Sequence, residues 1–126
     1  MARLLIVEDD PDQLLLRRLI LERAGHAVTS AASAAAALAA VRAAPAGEPF
    51  HGVVMDLRLP AAVDGRALIR DLRTLAPGLP IVVLSGRPQE LSSAPESELV
   101  LATLAKPVRT ENLLKTLARL TAPLCV

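Results

Sequence analysis

Aromatic residues, cysteines and long apolar runs are scarce in this chain of 126 residues. Phe50 is its only aromatic residue and Cys125 its only cysteine, so an intrachain disulfide is excluded and the core must be aliphatic. No apolar run approaches the roughly 20 residues that a membrane-spanning helix needs. The apolar start slightly resembles a signal peptide, but acidic residues interrupt it at residues 8–10. We therefore reject that interpretation and expect a cytoplasmic protein.

The chain also lacks an excess of positive or negative charge. Lys and Arg total 14 and Asp and Glu 13, which gives a net charge of +1. This balance offers no electrostatic reason to expect binding to nucleic acid or to an anionic membrane. Hydrophobic residues make up 52% of the chain, and its length suits one domain with a proper core. We predict a single domain over residues 1–126.

Strand-like and helix-like segments alternate along the whole chain. The strand-like segments are residues 3–7, 27–30, 53–55, 81–84 and 104–105. Such alternation predicts an α/β fold, in which helices cover both faces of a parallel sheet. Within such a sheet, ligands bind outside the carboxyl ends of the strands.

Capping signals and leucine spacing locate the helices. Asp10 and Ser33 are the predicted N-caps of the first two helices, and Gly25 is the predicted stop of the first. The first helix carries an apolar stripe, and the later helices carry inward-facing leucines. These positions are Leu15, Leu16, Leu19 and Ile20, then Leu68, Ile69 and Leu72, then Leu113, Leu114, Leu117 and Leu120. Pro95 predicts a short or irregular helix between the fourth and fifth strands.

Four of the five strand-like segments end in a chemically useful residue. Glu8 and Asp9 follow the first, Asp56 the third, Ser85 the fourth and Lys106 the fifth. An aspartate can attack phosphorus, and carboxylates can hold the Mg²⁺ that offsets the charge of the anionic donor. A lysine and a hydroxyl can then bind the phosphoryl oxygens. Together these residues predict a site for a cation and an aspartyl phosphate.

Each of these residues also has an ordinary interpretation. The acidic run at residues 8–10 suits an exposed first turn of a helix. Lys106 suits a solvated turn, and Ser85 and Asp56 suit polar strand ends. Singly, these interpretations prevail. The joint occurrence of the residues at strand ends, in this order, favours the site.

Four motifs resemble those of the receiver domains of two-component response regulators, over essentially the whole chain. They are IVEDDP at 6–11, VMDLRLP at 54–60 with DG at 64–65, VLSG at 83–86 and AKPV at 105–108. The resemblance implies a flavodoxin-like, doubly wound sheet of five parallel strands in the order 2-1-3-4-5. It also implies that a histidine kinase or phosphotransfer protein donates a phosphoryl group, and that phosphorylation switches binding of a downstream protein partner.

The same resemblance assigns the site. Asp56 is the implied phosphoacceptor, Lys106 pairs with the phosphate, and Ser85 is the switch hydroxyl. Asp9, Asp56 and the backbone carbonyl of Arg58 are the implied direct ligands of Mg²⁺, and Glu8 acts through water. Such a domain is not an enzyme beyond self-catalysed phosphoryl acceptance and hydrolysis. The residues leave open whether it stands alone or belongs to a longer regulator or hybrid kinase.

The sequence departs from the family pattern in places that concern signal output. The loop at residues 60–65 is one residue longer than the common form, and the approach to the fifth strand lacks the usual glycine. Thr103 stands where relatives carry an aromatic residue that moves with the switch hydroxyl. We therefore expect intact acceptor chemistry and an altered output.

The residues also bear on three other functions. A haloacid dehalogenase-like phosphatase needs a second acid two residues after the nucleophile, where this chain has Arg58. A flavodoxin would need a neutral phosphate-binding loop where this chain has residues 8–10, and an aromatic residue to stack on flavin.

The remaining alternative is a pseudo-receiver, a docking module that signals without phosphorylation. The departure at Thr103 and the irregular helix predicted around Pro95 favour it, whereas the complete set of site residues argues against it.

Overall fold

The computed structural model describes residues 3–44, 47, 49–57, 65–86 and 99–119. Strands and helices alternate through these residues. In chain order they are β1 (Arg3–Val7), α1 (Pro11–Arg23), β2 (Ala27–Ala31), α2 (Ala34–Ala43), β3 (Gly52–Asp56), α3 (Gly65–Leu75), β4 (Ile81–Ser85), β5 (Ala102–Ala105) and α4 (Thr110–Ala118). Pro95 lies outside the described residues, so the expectation of an irregular helix there stays a prediction.

The five strands form one parallel sheet in the order β2-β1-β3-β4-β5, which confirms the predicted fold class and topology. One row of paired residues crosses most of it: Val7 lies beside Met55, Met55 beside Val83, and Val83 beside Thr103. Because all strands run in one direction, their carboxyl ends lie at a common edge.

Two aliphatic layers hold the sheet between the helices. On one face, Leu5, Val7 and Met55 pack with the inward side chains of α2 and α3. On the other face, Leu4 and Ile6 pack with those of α1 and α4. Every residue of β3 and β4 is buried, which explains why both strands are continuous apolar runs without alternation.

Local capping interactions confirm the predicted helix limits. The Asp10 carboxylate accepts a hydrogen bond from the backbone N–H of Asp12 at 3.0 Å, and the Ser33 hydroxyl accepts one from the N–H of Ala36 at 3.1 Å. Gly25, just beyond α1, has φ of +94°, a conformation that L side chains rarely adopt. These caps set where α1 begins and ends and where α2 begins.

The predicted apolar stripe of α1 is largely wrong as a guide to burial. Leu15, Leu16 and Leu19 are each at least 50% exposed, whereas Arg17 and Leu21 are buried. Leucine and isoleucine occur on almost every side of this helix, so their spacing does not select an inward face. The face that packs on the sheet brings the cationic Arg17 to a buried carboxylate, Glu8.

The later helices agree better with their patterns. Leu68, Ile69 and Leu72 of α3 are buried, as are Leu113 and Leu117 of α4, while Leu114 is half-buried. Leu120 lies outside the described residues. Among the described helices, none has the length and apolar character that crossing a membrane requires.

Candidate functional site

The carboxyl edge of the sheet brings together the side chains that the sequence singled out. Glu8 follows β1, Asp56 ends β3, Ser85 ends β4 and Lys106 follows β5. Asp56 is registered beside Leu84, and Ser85 beside Ala105, so β3, β4 and β5 end within one residue of a common level. Parallel pairing therefore brings together residues that are far apart in the chain, such as Asp56 and Lys106, which are 50 positions apart.

The centre of this edge is an ion pair between Lys106 and Asp56. The Lys106 ammonium donates a hydrogen bond to Oδ2 of Asp56. The Asp56 side chain is only 9% exposed, and that of Lys106 is 34% exposed. The carboxylate thus lies inside the fold with a cation at its solvent side, an arrangement suited to an anionic reaction partner.

Backbone hydrogen bonds fix the two strands that flank this pair. The N–H of Lys106 donates to the Ser85 carbonyl at 2.8 Å, and the N–H of Leu57 donates to the Leu84 carbonyl at 3.1 Å. Ser85 itself is 4% exposed. The hydroxyl, the carboxylate and the ammonium are therefore carried by paired strand ends, which are among the most rigid supports a small domain offers.

Gly65 closes the segment that follows Asp56. Its N–H donates to the Leu57 carbonyl at 2.8 Å. A Cβ added to Gly65 would lie 2.8 Å from the Leu57 carbonyl carbon, closer than real Cβ contacts allow. Only a residue without a Cβ permits this approach, which explains why glycine stands at position 65. Arg58, whose backbone carbonyl is an implied ligand of Mg²⁺, and Asp64 of the DG motif lie outside the described residues.

Thr103 occupies the β5 position registered beside Val83, and its side chain is half-buried. It lies two residues before the end of the strand and three before Lys106. The structure thus places the predicted switch position in the strand next to Ser85.

Glu8 is the most buried carboxylate of the site, at 3% exposure. Its Oε1 accepts from the backbone N–H of Asp10 at 3.2 Å, and its Oε2 forms an ion pair with the Arg17 guanidinium. Burial raises the pKa of Glu8, and the charge of Asp56 adds to this effect, while Asp10 and Arg17 oppose it. Glu8 and Asp56 are therefore close enough to influence each other electrostatically.

Arg17 is a residue at this edge that the sequence interpretation missed. It lies between Leu14 and Leu21 at helical spacing, on the face of α1 that packs on the sheet. The signal in the sequence was the position of Arg17, three residues after Leu14 and four before Leu21, which places it on the same side of the helix as these leucines. It was obscured because the more numerous leucines at 15, 16 and 19 suggested a different face.

The donor set suits a hard cation. Asp9 is exposed beside buried Glu8, and Asp56 ends the adjacent strand, so the edge presents carboxylate oxygens of the kind that Mg²⁺ prefers. Within the described parts of the chain, no three His, Cys, Asp or Glu side chains form a metal-binding group. A site of few carboxylates completed by backbone oxygen, water or phosphate fits Mg²⁺ better than a full protein cage.

A groove of about 620 Å³ opens between α1 and the segment from Lys106 to α4. Arg17 and Lys106 both line it, together with apolar side chains that include Leu16 and Val108. The two cations thus border one open space beside the acidic edge.

Comparison with known proteins agrees with this architecture. A family model described as the response regulator receiver domain matches residues 4–118. The protein PilH of Pseudomonas aeruginosa is 32% identical over 122 residues, which cover 93% of this chain and 95% of PilH. The sensory/regulatory protein RpfC of Xanthomonas campestris is 37% identical over 124 residues, covering 94% of this chain. The chain spans only 16% of the length of RpfC.

A solved structure shows the same relationship in three dimensions. A sensor protein from Polaromonas sp. JS666 superposes with a TM-score of 0.80 at 38% identity, over 94% of each chain. The family model covers most of the sequence, and PilH is matched over nearly its whole length. This chain therefore belongs to the response regulator receiver domain family.

Proposed function

We propose that residues 1–126 form one receiver domain whose Asp56 accepts a phosphoryl group from a histidine kinase or phosphotransfer protein. Phosphorylation then changes the affinity of the domain for a downstream protein partner. The observation that carries this proposal is the buried Asp56 carboxylate held against Lys106 at the carboxyl edge of the sheet. Receiver domains are signalling modules of two-component systems, and this chain belongs to that family.

The proposed chemistry requires a phosphoryl donor that can reach Asp56 and a carboxylate held in position to attack it. An oxygen of Asp56 attacks the phosphorus of a phosphohistidine, forming an O–P bond as the P–N bond breaks. The bonding electron pair stays on the imidazole nitrogen, which then takes up a proton. Lys106 already contacts Asp56, so its ammonium can stabilise the negative charge that arrives with the phosphoryl group.

Members of the family bind Mg²⁺ at the phosphorylation site. In this chain we assign Asp9 and Asp56 as direct ligands, with the Arg58 backbone carbonyl as a third and Glu8 acting through water. When bound, the ion offsets the repulsion between the carboxylate and the anionic donor. The assignment is supported by the oxygen donors that the described edge presents and by the order of the strands.

Signal output is assigned to Ser85 and Thr103. The Ser85 hydroxyl is buried at the end of β4, where it can donate a hydrogen bond to a phosphoryl oxygen on Asp56. Thr103 lies in the adjacent strand, beside Val83. The threonine side chain is much smaller than the aromatic side chain of relatives, so its movement changes less of the protein surface. We therefore assign this domain a smaller rearrangement in β5.

The alternative is a pseudo-receiver that docks without being phosphorylated. The ion pair between Glu8 and Arg17 favours it, because an internal cation already occupies part of the acidic site. Thr103 favours it as well, since the residue expected to report phosphorylation is replaced.

Intact-mass measurement separates the two functions. The protein is incubated with acetyl phosphate in the presence of Mg²⁺, and in parallel with a chelator. We expect a mass gain of one phosphoryl group only with Mg²⁺. If no gain occurs with acetyl phosphate or with a panel of phosphorylated histidine donors, the docking function replaces the proposed one.

A further inference from the structure

Arg17 is a buried cation in a helix that covers the sheet. It is 8% exposed, a level that arginine reaches rarely unless it is paired. Its partner, Glu8, stands directly after β1 at the acidic edge. The neighbouring Arg18 differs, because it pairs at the surface with Glu22 at 3.1 Å and donates to the Ser30 hydroxyl at 3.2 Å.

The two oxygens of Glu8 are both engaged within the chain. The Asp10 N–H donates a hydrogen bond to Oε1, and the Arg17 guanidinium donates one to Oε2. Glu8 is therefore a carboxylate whose charge a cation of the same chain already partly neutralises. Glu8 directly follows Val7 and Asp56 directly follows Met55, and Val7 and Met55 are paired in adjacent strands, so Glu8 and the acceptor carboxylate lie at the same edge of the sheet.

We propose that Arg17 sets the divalent-cation affinity of this site by holding Glu8 and neutralising its charge. This inference rests on the proposed function, since it concerns the same cation site. The Glu8 and Asp56 carboxylates are each paired with a cation, Arg17 and Lys106 respectively, so of the assigned ligands only Asp9 adds a net negative charge. The site thereby binds Mg²⁺ more weakly than an otherwise identical site without the guanidinium.

The direction of the effect follows from Coulomb's law. Removing one positive charge beside a partly buried site strengthens its attraction for a divalent cation. We expect the Mg²⁺ association constant to rise about tenfold in Arg17→Met, which corresponds to about 1.4 kcal/mol. Arg17 is a positioning residue in this account, because it acts through Glu8.

The experiment is calorimetric titration with MgCl₂ alone, without a phosphodonor. Arg17→Met removes the charge and keeps a long side chain, whereas Arg17→Lys keeps the charge and loses the planar fork. Arg17→Gln is a second neutral variant that retains an N–H donor for Glu8, in case the methionine variant does not fold. Arg18→Met is the matched control on the same helix.

Charge and shape predict different results in this series. If Arg17 acts by charge through Glu8, the Met and Gln variants bind Mg²⁺ about tenfold more tightly, and the Lys variant stays close to the wild type. In a Glu8→Gln background, the gain from Arg17→Met should shrink, because the carboxylate that holds the guanidinium beside the site is absent. The Arg18 control should match the wild type.

Three outcomes would overturn the inference. Equal affinities in Arg17→Met and Arg18→Met would show that the guanidinium has no influence on the site. A gain of the same size in Arg17→Lys would show that shape matters and charge does not. A full gain in the Glu8→Gln background would show that Arg17 does not act through Glu8.

The titration also distinguishes this inference from the proposed function. If the wild type fails to bind millimolar Mg²⁺ but Arg17→Met binds it, the inference is supported while the phosphoacceptor function is weakened. If no variant binds Mg²⁺, both fail together. If the wild type binds Mg²⁺ and also accepts a phosphoryl group, the proposed function stands. The Mg²⁺ affinities of the variants then decide whether Arg17 sets the affinity of the site.

Discussion

Replacing Lys106 with methionine should slow phosphorylation of Asp56 by about thirtyfold. At an effective dielectric constant of about 20, two charges about 4 Å apart interact by about 4 kcal/mol. The Lys106 side chain is 34% exposed, so solvent screening reduces this energy to about half, or about 2 kcal/mol. Each 1.36 kcal/mol is about a factor of ten in rate, which gives the thirtyfold loss.

This energy applies to the transition state because the charge near Lys106 increases during the reaction. In the resting domain, the ammonium faces the single charge of Asp56. An arriving phosphoryl group adds negative charge at the same place, and only such a differential interaction affects the rate. Methionine retains the length of the side chain and removes its charge.

The assay is a time course of intact mass with acetyl phosphate and Mg²⁺. Lys115→Met is the matched control, because Lys115 is exposed on α4 and away from the strand ends. A urea denaturation curve for each variant separates loss of rate from loss of folding. A labelling rate for Lys106→Met within about threefold of the control, in a folded protein, would refute the electrostatic role.

Two further predictions concern stability. Burial raises the pKa of Glu8 in the folded state above its ordinary value of 4.5. The contribution of this carboxyl to stability is therefore complete below pH 4.5, and it is lost as the pH rises through the folded-state pKa. The free energy of unfolding of Glu8→Gln minus that of the wild type should therefore increase with pH across this window; a flat or falling difference would contradict it. Gly65→Ala should lower the free energy of unfolding by about 1–3 kcal/mol, because its Cβ meets the Leu57 carbonyl. Gly78→Ala, whose Cβ meets open space, is the control in urea denaturation, and equal losses would refute the argument.

The sheet and its site edge were predictable because they depend on signals that occur along the chain. Apolar strand segments that end in polar residues predicted where Asp56, Ser85 and Lys106 lie, and the family resemblance predicted the strand order. Parallel pairing then aligns those ends without further information. The assignment of roles to these residues stays a prediction.

The inward face of α1 could not be predicted from hydrophobic spacing. Leu15, Leu16 and Leu19 formed the more obvious stripe, yet they are half-exposed. The inward face instead carries Arg17, which pairs with Glu8 at a strand end nine residues away in the chain. Hydrophobic periodicity does not register an ion pair between elements, so this part of the site emerged only from the structure.

The central claim is that Asp56 accepts the phosphoryl group, and a comparison of two aspartate variants tests it most directly. Asp56→Asn and Asp71→Asn are each incubated with acetyl phosphate and Mg²⁺, and intact mass is measured. Asp71 is exposed on α3 and serves as the matched control. We predict a gain of one phosphoryl group in the wild type and in Asp71→Asn, and none in Asp56→Asn. Equal labelling of Asp56→Asn and the wild type would contradict the assignment of the acceptor.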